Sequence, residues 1–197
     1  MRRKDKERDA AFAWQVLRDS AYSVLAMTDE DGTPYCVPVN HIADPEHNAV
    51  YFHCAGAGRK WTILEKEPPV CLTAVSRAEL VPGELTTAYD SAVVHGQATV
   101  VRDSAEKLYA LKLLVQALDP VSMERAVMCA DKTMERTMIV KITPREVTGK
   151  QSHGDEAQKQ APTGACFFAD FTSGRMPSRT RGSAPVLSMP WVCPSGQ

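Results

Sequence analysis

The 197-residue sequence has no uninterrupted apolar run approaching the roughly 18 residues that a membrane-spanning helix needs, which argues against insertion into lipid. It also lacks a secretory pattern. The opening MRRKDKERD carries both signs of charge and is not followed directly by an apolar stretch with a small-residue cleavage site, so a cytoplasmic protein is expected. Neither charge is in excess: 23 Lys and Arg stand against 24 Asp and Glu, a net charge of -1, so any anion site must be local rather than a property of the whole surface. The six cysteines, Cys36, Cys54, Cys71, Cys129, Cys166 and Cys193, lack the close paired spacing of a zinc ribbon or redox dithiol, and most read as reduced core residues. His41, His47 and His95 lie on different short elements without ligand spacing to Cys36 or Cys54, so no metal set is expected. There is no long internal repeat.

What is present is a succession of short strands with few helices. Ala10, Ala11, Phe12, Trp14, Leu17 and Ala21 outline an imperfect apolar helical face over 9–21. A short strand over 22–28 then meets the turn Asp29-Glu30-Asp31-Gly32 and should return antiparallel. Strands are expected over 34–42 and 49–54, a short helix over 59–66 ending before Pro68 and Pro69, and a strand over 70–75. Residues 78–88, with Pro82 and Gly83, read as an excursion, and 89–102 as a long strand with a bend at Gly96. Asp103 and Glu106 have capping-box-like spacing ahead of a helix marked by Leu108, Leu111, Leu114, Val115 and Leu118, which Pro120 breaks. A short helix over 123–130 and a strand over 134–142 follow, with Pro144 limiting further pairing. Connections this short favour an antiparallel barrel or sandwich over a doubly wound fold. From 150 to 197 the pattern deteriorates into a poorly specified extension whose FFADF and VLSMPWV clusters can pack partly on the main core.

The segment YFHCAGAGRK, residues 51–60, carries the most chemistry. A strand runs into a small-residue turn followed by two cations. Gly56 and Gly58 permit a tight backbone path with amides facing an anion, Arg59 offers a planar donor fork and Lys60 a mobile point charge. On the residues alone, a surface turn with two solvated cations is the better description of the segment. It is not a Walker loop, because Lys60 is followed by Trp61 rather than Ser or Thr, and no glycine fingerprint of a dinucleotide fold is present.

Four landmarks in order carry a family resemblance: MRRKDKE at the start, DEDGTPYCVPVN at 29–40, YFHCAGAGRK at 51–60 and YDSAVVHGQATVV at 89–101. Over roughly residues 1–150 the sequence resembles the nitroimidazole-resistance branch of the FMN-binding pyridoxamine 5'-phosphate oxidase-like family. The resemblance implies a mainly β protein with peripheral helices, an FMN-binding split β-barrel over residues 1–149, assembled as a homodimer with the cofactor along the subunit interface. It implies that Gly58, Arg59 and Lys60 bind the FMN phosphate, that Pro38, Val39 and Asn40 line the flavin, and that Ser91 and Val93 contact or pack near it. His53 falls on the matching active-site strand and is the candidate reactive residue, although a buried structural hydrogen bond is an equally good account of it. Trp14 and Trp61 can cover a flavin ring or simply pack their helices. The sequence departs from the family pattern at Ala92 and His95, where larger aliphatic or aromatic residues are expected.

The activity so implied is that of an FMN-dependent oxidoreductase taking electrons from NADH or NADPH and reducing small nitroaromatic compounds such as nitroimidazoles. A pyridoxamine 5'-phosphate oxidase-like enzyme and a non-enzymatic flavin-binding or sequestration protein stand as the alternatives.

Overall fold

The structure, a computed structural model, describes residues 2–122 and 137–153. The expected helix at 123–130, the start of the strand at 134 and the extension beyond 153 lie outside these residues. The elements are β1 (Glu7–Arg8), α1 (Ala10–Asp19), β2 (Ser23–Thr28), β3 (Pro34–Val39), β4 (His41–Asp44), β5 (Ala49–Ala55), α2 (Arg59–Leu64), β6 (Pro69–Val81), β7 (Thr86–Val100), α3 (Ser104–Leu118) and β8 (Thr137–Ser152). None of the helices among the described residues is long and apolar enough to cross a membrane.

All strand pairs are antiparallel, in the order β3-β2-β6-β7-β8-β5-β4, with β1 added beside β8. The ends of this order, β3 and β4, are consecutive in the chain and separated only by Asn40. Covalent continuity therefore brings the two edges together at one corner, and the sheet is strongly curled. No ladder joins β3 to β4, so the sheet is not closed and the expected split β-barrel is not what forms. The reason lies at Asn40: the single strand expected over 34–42 is divided there, and its two halves pair with different neighbours, β2 and β5.

Three hydrogen bonds hold this corner to the end of α1, the residues after it and the start of β2. Asn40 Nδ2 donates to the Ala21 carbonyl at 3.3 Å. His41 Nε2 donates to the Leu17 carbonyl at 2.8 Å, which leaves Nδ1 to accept from Ser23 Oγ at 3.0 Å. His41 and Ser23 are both buried, so each satisfies a polar atom that the other would otherwise strand away from water. Burial also holds the His41 pKa below the ordinary imidazole value, keeping the ring neutral.

The concave side of the sheet is filled by α1. Asp9 caps that helix by accepting from the Phe12 amide at 2.8 Å, and Ala13, Val16 and Leu17 form the buried stripe that packs among Leu25, Phe52, Leu72, Val94 and Ile142. Burying Val16 and Leu17 contributes roughly 1.5–3 kcal/mol each. On the opposite face of β5 and β8, Ala110 and Leu114 of α3 cover Tyr51 and Ile139. The expected cap is present, Asp103 accepting from the Glu106 amide at 2.8 Å. Beneath α3, Glu106 accepts from both Tyr51 and Lys141, and Asp44 accepts from Tyr109.

Two long strands differ from expectation. The excursion at 78–88 is a two-stranded ribbon, with Ala78–Val81 of β6 pairing Thr86–Tyr89 of β7, so that Pro82 and Gly83 mark only its tip. Pro144 does not end β8, because the register shifts opposite His95 and Gly96: Glu146 pairs His95 while Pro144 pairs Gly96, and a bulge tolerates the missing proline N–H. The expected bend at Gly96 is this register shift. The same strand runs on through Ser152, so residues 150–152 are part of the sheet.

Candidate functional site

The 51–60 segment is the last part of β5, a turn and the first residues of α2. Alternation along β5 sends Val50, Phe52 and Cys54 into the core and His53 to the outer face, where it is exposed. Its ladder position is opposite Ile139 of β8 and one step beyond the His41–Phe52 pair, beside the corner made by Asn40. Gly58 has φ +89, a conformation other residues adopt only under strain, and it launches α2. A side chain there would meet nothing within 4 Å, so the backbone conformation, and not crowding, demands the glycine.

The two cations that follow have different surroundings. Arg59 Nε donates to Asp29 Oδ2 at 2.9 Å, and the guanidinium lies 4.7 Å from the centroid of the Tyr35 ring. The next turn of the chain adds an ion pair between Lys66 and Glu30, so α2 is held to the β2–β3 turn near both ends. Lys60 has no carboxylate partner among the described residues; its charge acts instead on His53 and Cys54. The pKa of His53 is held below the ordinary imidazole value, first because the protein around the ring desolvates it and second because Lys60 is near. His53 is therefore neutral at pH 7, with one ring nitrogen able to donate and the other to accept, and it has no hydrogen-bond partner among the described residues. With only six residues, α2 supplies little dipole, so anion binding here rests on the Arg59 and Lys60 side chains.

The remaining expected positions divide by strand alternation. Pro38, Val24, Thr73, Val93 and Thr148 pair successively across β3, β2, β6, β7 and β8, so Pro38 and Val93 share the outer face in one row. Ser91 occupies the same face of β7 and donates to the Lys150 carbonyl at 3.3 Å. Pro38 is exposed, while Ser91 and Val93 are half-buried. Three strand spacings separate Pro38 from Val93, about 14 Å, which suits a flat ligand laid along the sheet rather than one small contact point. Val39 turns its side chain into the core, where only 6% of it is exposed, so the residue offers a ligand no side-chain surface. Trp14 and Trp61 both pack against the core cluster.

Cys54 is buried, whereas Cys36 is exposed and Cys71 half-buried, since both take outer-face positions flanking Ala26. Among the described residues, no three His, Cys, Asp or Glu side chains converge to hold a metal ion. Sequence reasoning missed Asp29 and Tyr35 as neighbours of Arg59 and missed His41 as the corner residue. Asp29 lies 30 positions from its partner, and no local pattern announces such a pairing.

The sequence matches the family model described as pyridoxamine 5'-phosphate oxidase over residues 9–151. The chain belongs to this family. No curated protein matches it. Among solved structures, the flavocytochrome Anf3 of Azotobacter vinelandii is similar with a TM-score of 0.68 at 23% identity, covering 96% of this chain and 91% of that one. The FAD and heme binding protein of Mycobacterium smegmatis gives 0.66 at 16% identity, covering 85% and 93%. A protein designated a 5-nitroimidazole antibiotic resistance protein, from Bacteroides thetaiotaomicron, gives 0.58 at 22% identity, covering 73% and 84%. At these identities the likeness is one of fold.

Proposed function

We propose that this chain is a cytoplasmic, homodimeric FMN-dependent oxidoreductase that takes electrons from NADH or NADPH and reduces small nitroaromatic compounds such as nitroimidazoles. The observation that carries the reading is the glycine-led start of α2, where Arg59 keeps its Nη donors, Lys60 has no carboxylate partner among the described residues, and its charge reaches a neutral His53. Membership in the family supports a flavin-associated role, and several proteins of similar fold are named for binding flavin.

The residues fit such a cofactor. Gly58 takes the positive φ that turns the chain into α2, Lys60 and the remaining donors of Arg59 suit a phosphate, and the outer-face row containing Pro38 and Val93 offers a half-apolar surface for a planar ring. Ser91 and Asn40 add polar side chains at the margins of that surface. When bound, FMN supplies the two-electron redox centre that these side chains lack. His53 then orients the reducible ligand by donating from one ring nitrogen, and its depressed pKa keeps the second ring nitrogen free to accept a proton. A second copy of the chain would cover the outer-face row of Pro38 and Val93, shielding that surface from water.

The decisive experiment is anaerobic stopped-flow spectroscopy of the purified, FMN-loaded protein. NADH or NADPH should bleach the flavin absorbance, and a nitroimidazole should restore it with formation of a reduced product seen by mass spectrometry. If neither donor reduces the flavin, and chemically reduced protein transfers no electrons to the nitroimidazole, the oxidoreductase reading is wrong. Retention of FMN in that case would point to a binding or sequestration protein.

A further inference from the structure

Arg59 is already engaged before any ligand arrives. Its Nε donates to Asp29 Oδ2 at 2.9 Å and its guanidinium carbon lies over the Tyr35 ring, 4.7 Å from the centroid. The hydrogen bond uses one of five N–H donors, and the four Nη hydrogens have no acceptor among the described residues. An arginine so held has lost most of its rotamer freedom in advance, and a doubly hydrogen-bonding anion can meet the remaining fork at little further ordering cost. We infer that Asp29 and Tyr35 are positioning residues that hold Arg59 for a phosphomonoester ligand, with Lys60 supplying a second positive charge. This inference rests on the phosphate-binding reading of Arg59 and Lys60 given above.

The alternative is that Asp29 merely neutralises Arg59 and repels an anion. Asp31, in the same turn, separates the two effects. Its carboxylate accepts from the Thr33 amide at 2.9 Å and makes no hydrogen bond to Arg59, although the two charges interact. Asp29→Asn and Asp31→Asn therefore remove the same charge from the same turn, and only the first weakens the contact that fixes the guanidinium. Asparagine also preserves the oxygen that accepts from the Glu30 amide, so the turn is retained.

The test is titration of apoprotein with FMN and with riboflavin, which differ only in the phosphate. Asp29→Asn and Tyr35→Leu should each raise the Kd for FMN by about three- to tenfold, leaving riboflavin within about twofold, the size expected when one charge-assisted contact is loosened. Asp31→Asn should leave FMN binding unchanged or tighter. In an Arg59→Ala background, Asp29→Asn should have no further effect on FMN, because the two residues act as a unit. The Tyr35 variant provides an independent reading that leaves the turn carboxylates intact.

If the unsubstituted protein binds FMN no more tightly than riboflavin, the phosphate-site reading itself fails and the inference falls with it. If it prefers FMN and Arg59→Ala or Lys60→Ala erases that preference, but Asp29→Asn and Tyr35→Leu retain or strengthen it, only the positioning role is overturned. Equal losses for FMN and riboflavin, or equal losses from Asp29→Asn and Asp31→Asn, also overturn it.

Discussion

Replacing His41 with leucine tests the corner on which the curled sheet and the candidate site both depend. The ring is 5% exposed and makes two buried hydrogen bonds, to the Leu17 carbonyl at 2.8 Å and from Ser23 Oγ at 3.0 Å. Leucine fills much of the volume but leaves both partners unsatisfied. At roughly 1–3 kcal/mol for each stranded polar atom, and with some relief by water at the end of α1, the loss should be about 2–4 kcal/mol. That is a large share of the ~5–15 kcal/mol by which a domain is usually stable. For a chain of this size it corresponds to a fall in Tm of about 4–16 °C. Urea unfolding followed by circular dichroism measures it directly. Adding Ser23→Ala to His41→Leu removes one orphaned hydroxyl and should recover part of the loss, so the double variant should be more stable than the single one.

The same histidine predicts a pH dependence. Its folded-state pKa lies below the unfolded value of about 6.5, because burial opposes the charged form while the hydrogen bond to Leu17 only partly offsets this. Between those two values the unfolded chain binds the proton and the folded chain does not. Stability from this group is therefore complete above pH ~6.5 and declines as pH falls towards the folded pKa. His41→Leu should abolish this part of the acid sensitivity. A loss below about 1 kcal/mol, or an unchanged pH profile in the variant, would refute the reasoning that the corner is held by a buried neutral imidazole.

Gly96→Ala places a methyl group 2.6 Å from the Thr143 carbonyl oxygen and 2.8 Å from Ile142 Cγ2, so the β7–β8 ladder must part at the bulge; a destabilisation of about 1–3 kcal/mol is expected by urea unfolding. Asp103→Ala removes the cap that accepts from the Glu106 amide and should cost about 0.5–2 kcal/mol, with hydrogen exchange rising first in the opening turn of α3. Lys60→Gln should weaken FMN binding and flatten its dependence on salt while leaving riboflavin binding unchanged, as isothermal titration at two ionic strengths would show.

Much of the secondary structure was legible because it follows from short-range chemistry. Asp103 caps the helix that it precedes, as its spacing to Glu106 announced, and Asp29 to Gly32 reverses the chain between two strands that pair with each other. The ribbon at 78–88 was misread because Pro82 and Gly83 are strong turn signals, whereas the pairing that surrounds them depends on register between β6 and β7. Pro144 misled for a related reason. Whether a proline ends a strand depends on where the partner's ladder has a bulge, and that information lies at His95 and Gly96.

The order of the four landmarks from the opening MRRKDKE to Val101 was enough to identify the family, and Gly58 could be read as a turn residue because positive φ is a local requirement. Tertiary structure decided how the elements are used. Dividing 34–42 at Asn40 sends consecutive strands to opposite ends of an open sheet, a choice made by the partners β2 and β5 and by the buried hydrogen bonds of His41. The same is true of the site: adjacent in sequence and equal in formal charge, Arg59 and Lys60 become different groups only when the β2–β3 turn brings Asp29 against one and β5 brings His53 near the other. Capping, turning and alternation are governed by neighbours within a few residues, whereas the pairing of charges and the closure of corners are governed by whichever distant segment the fold delivers.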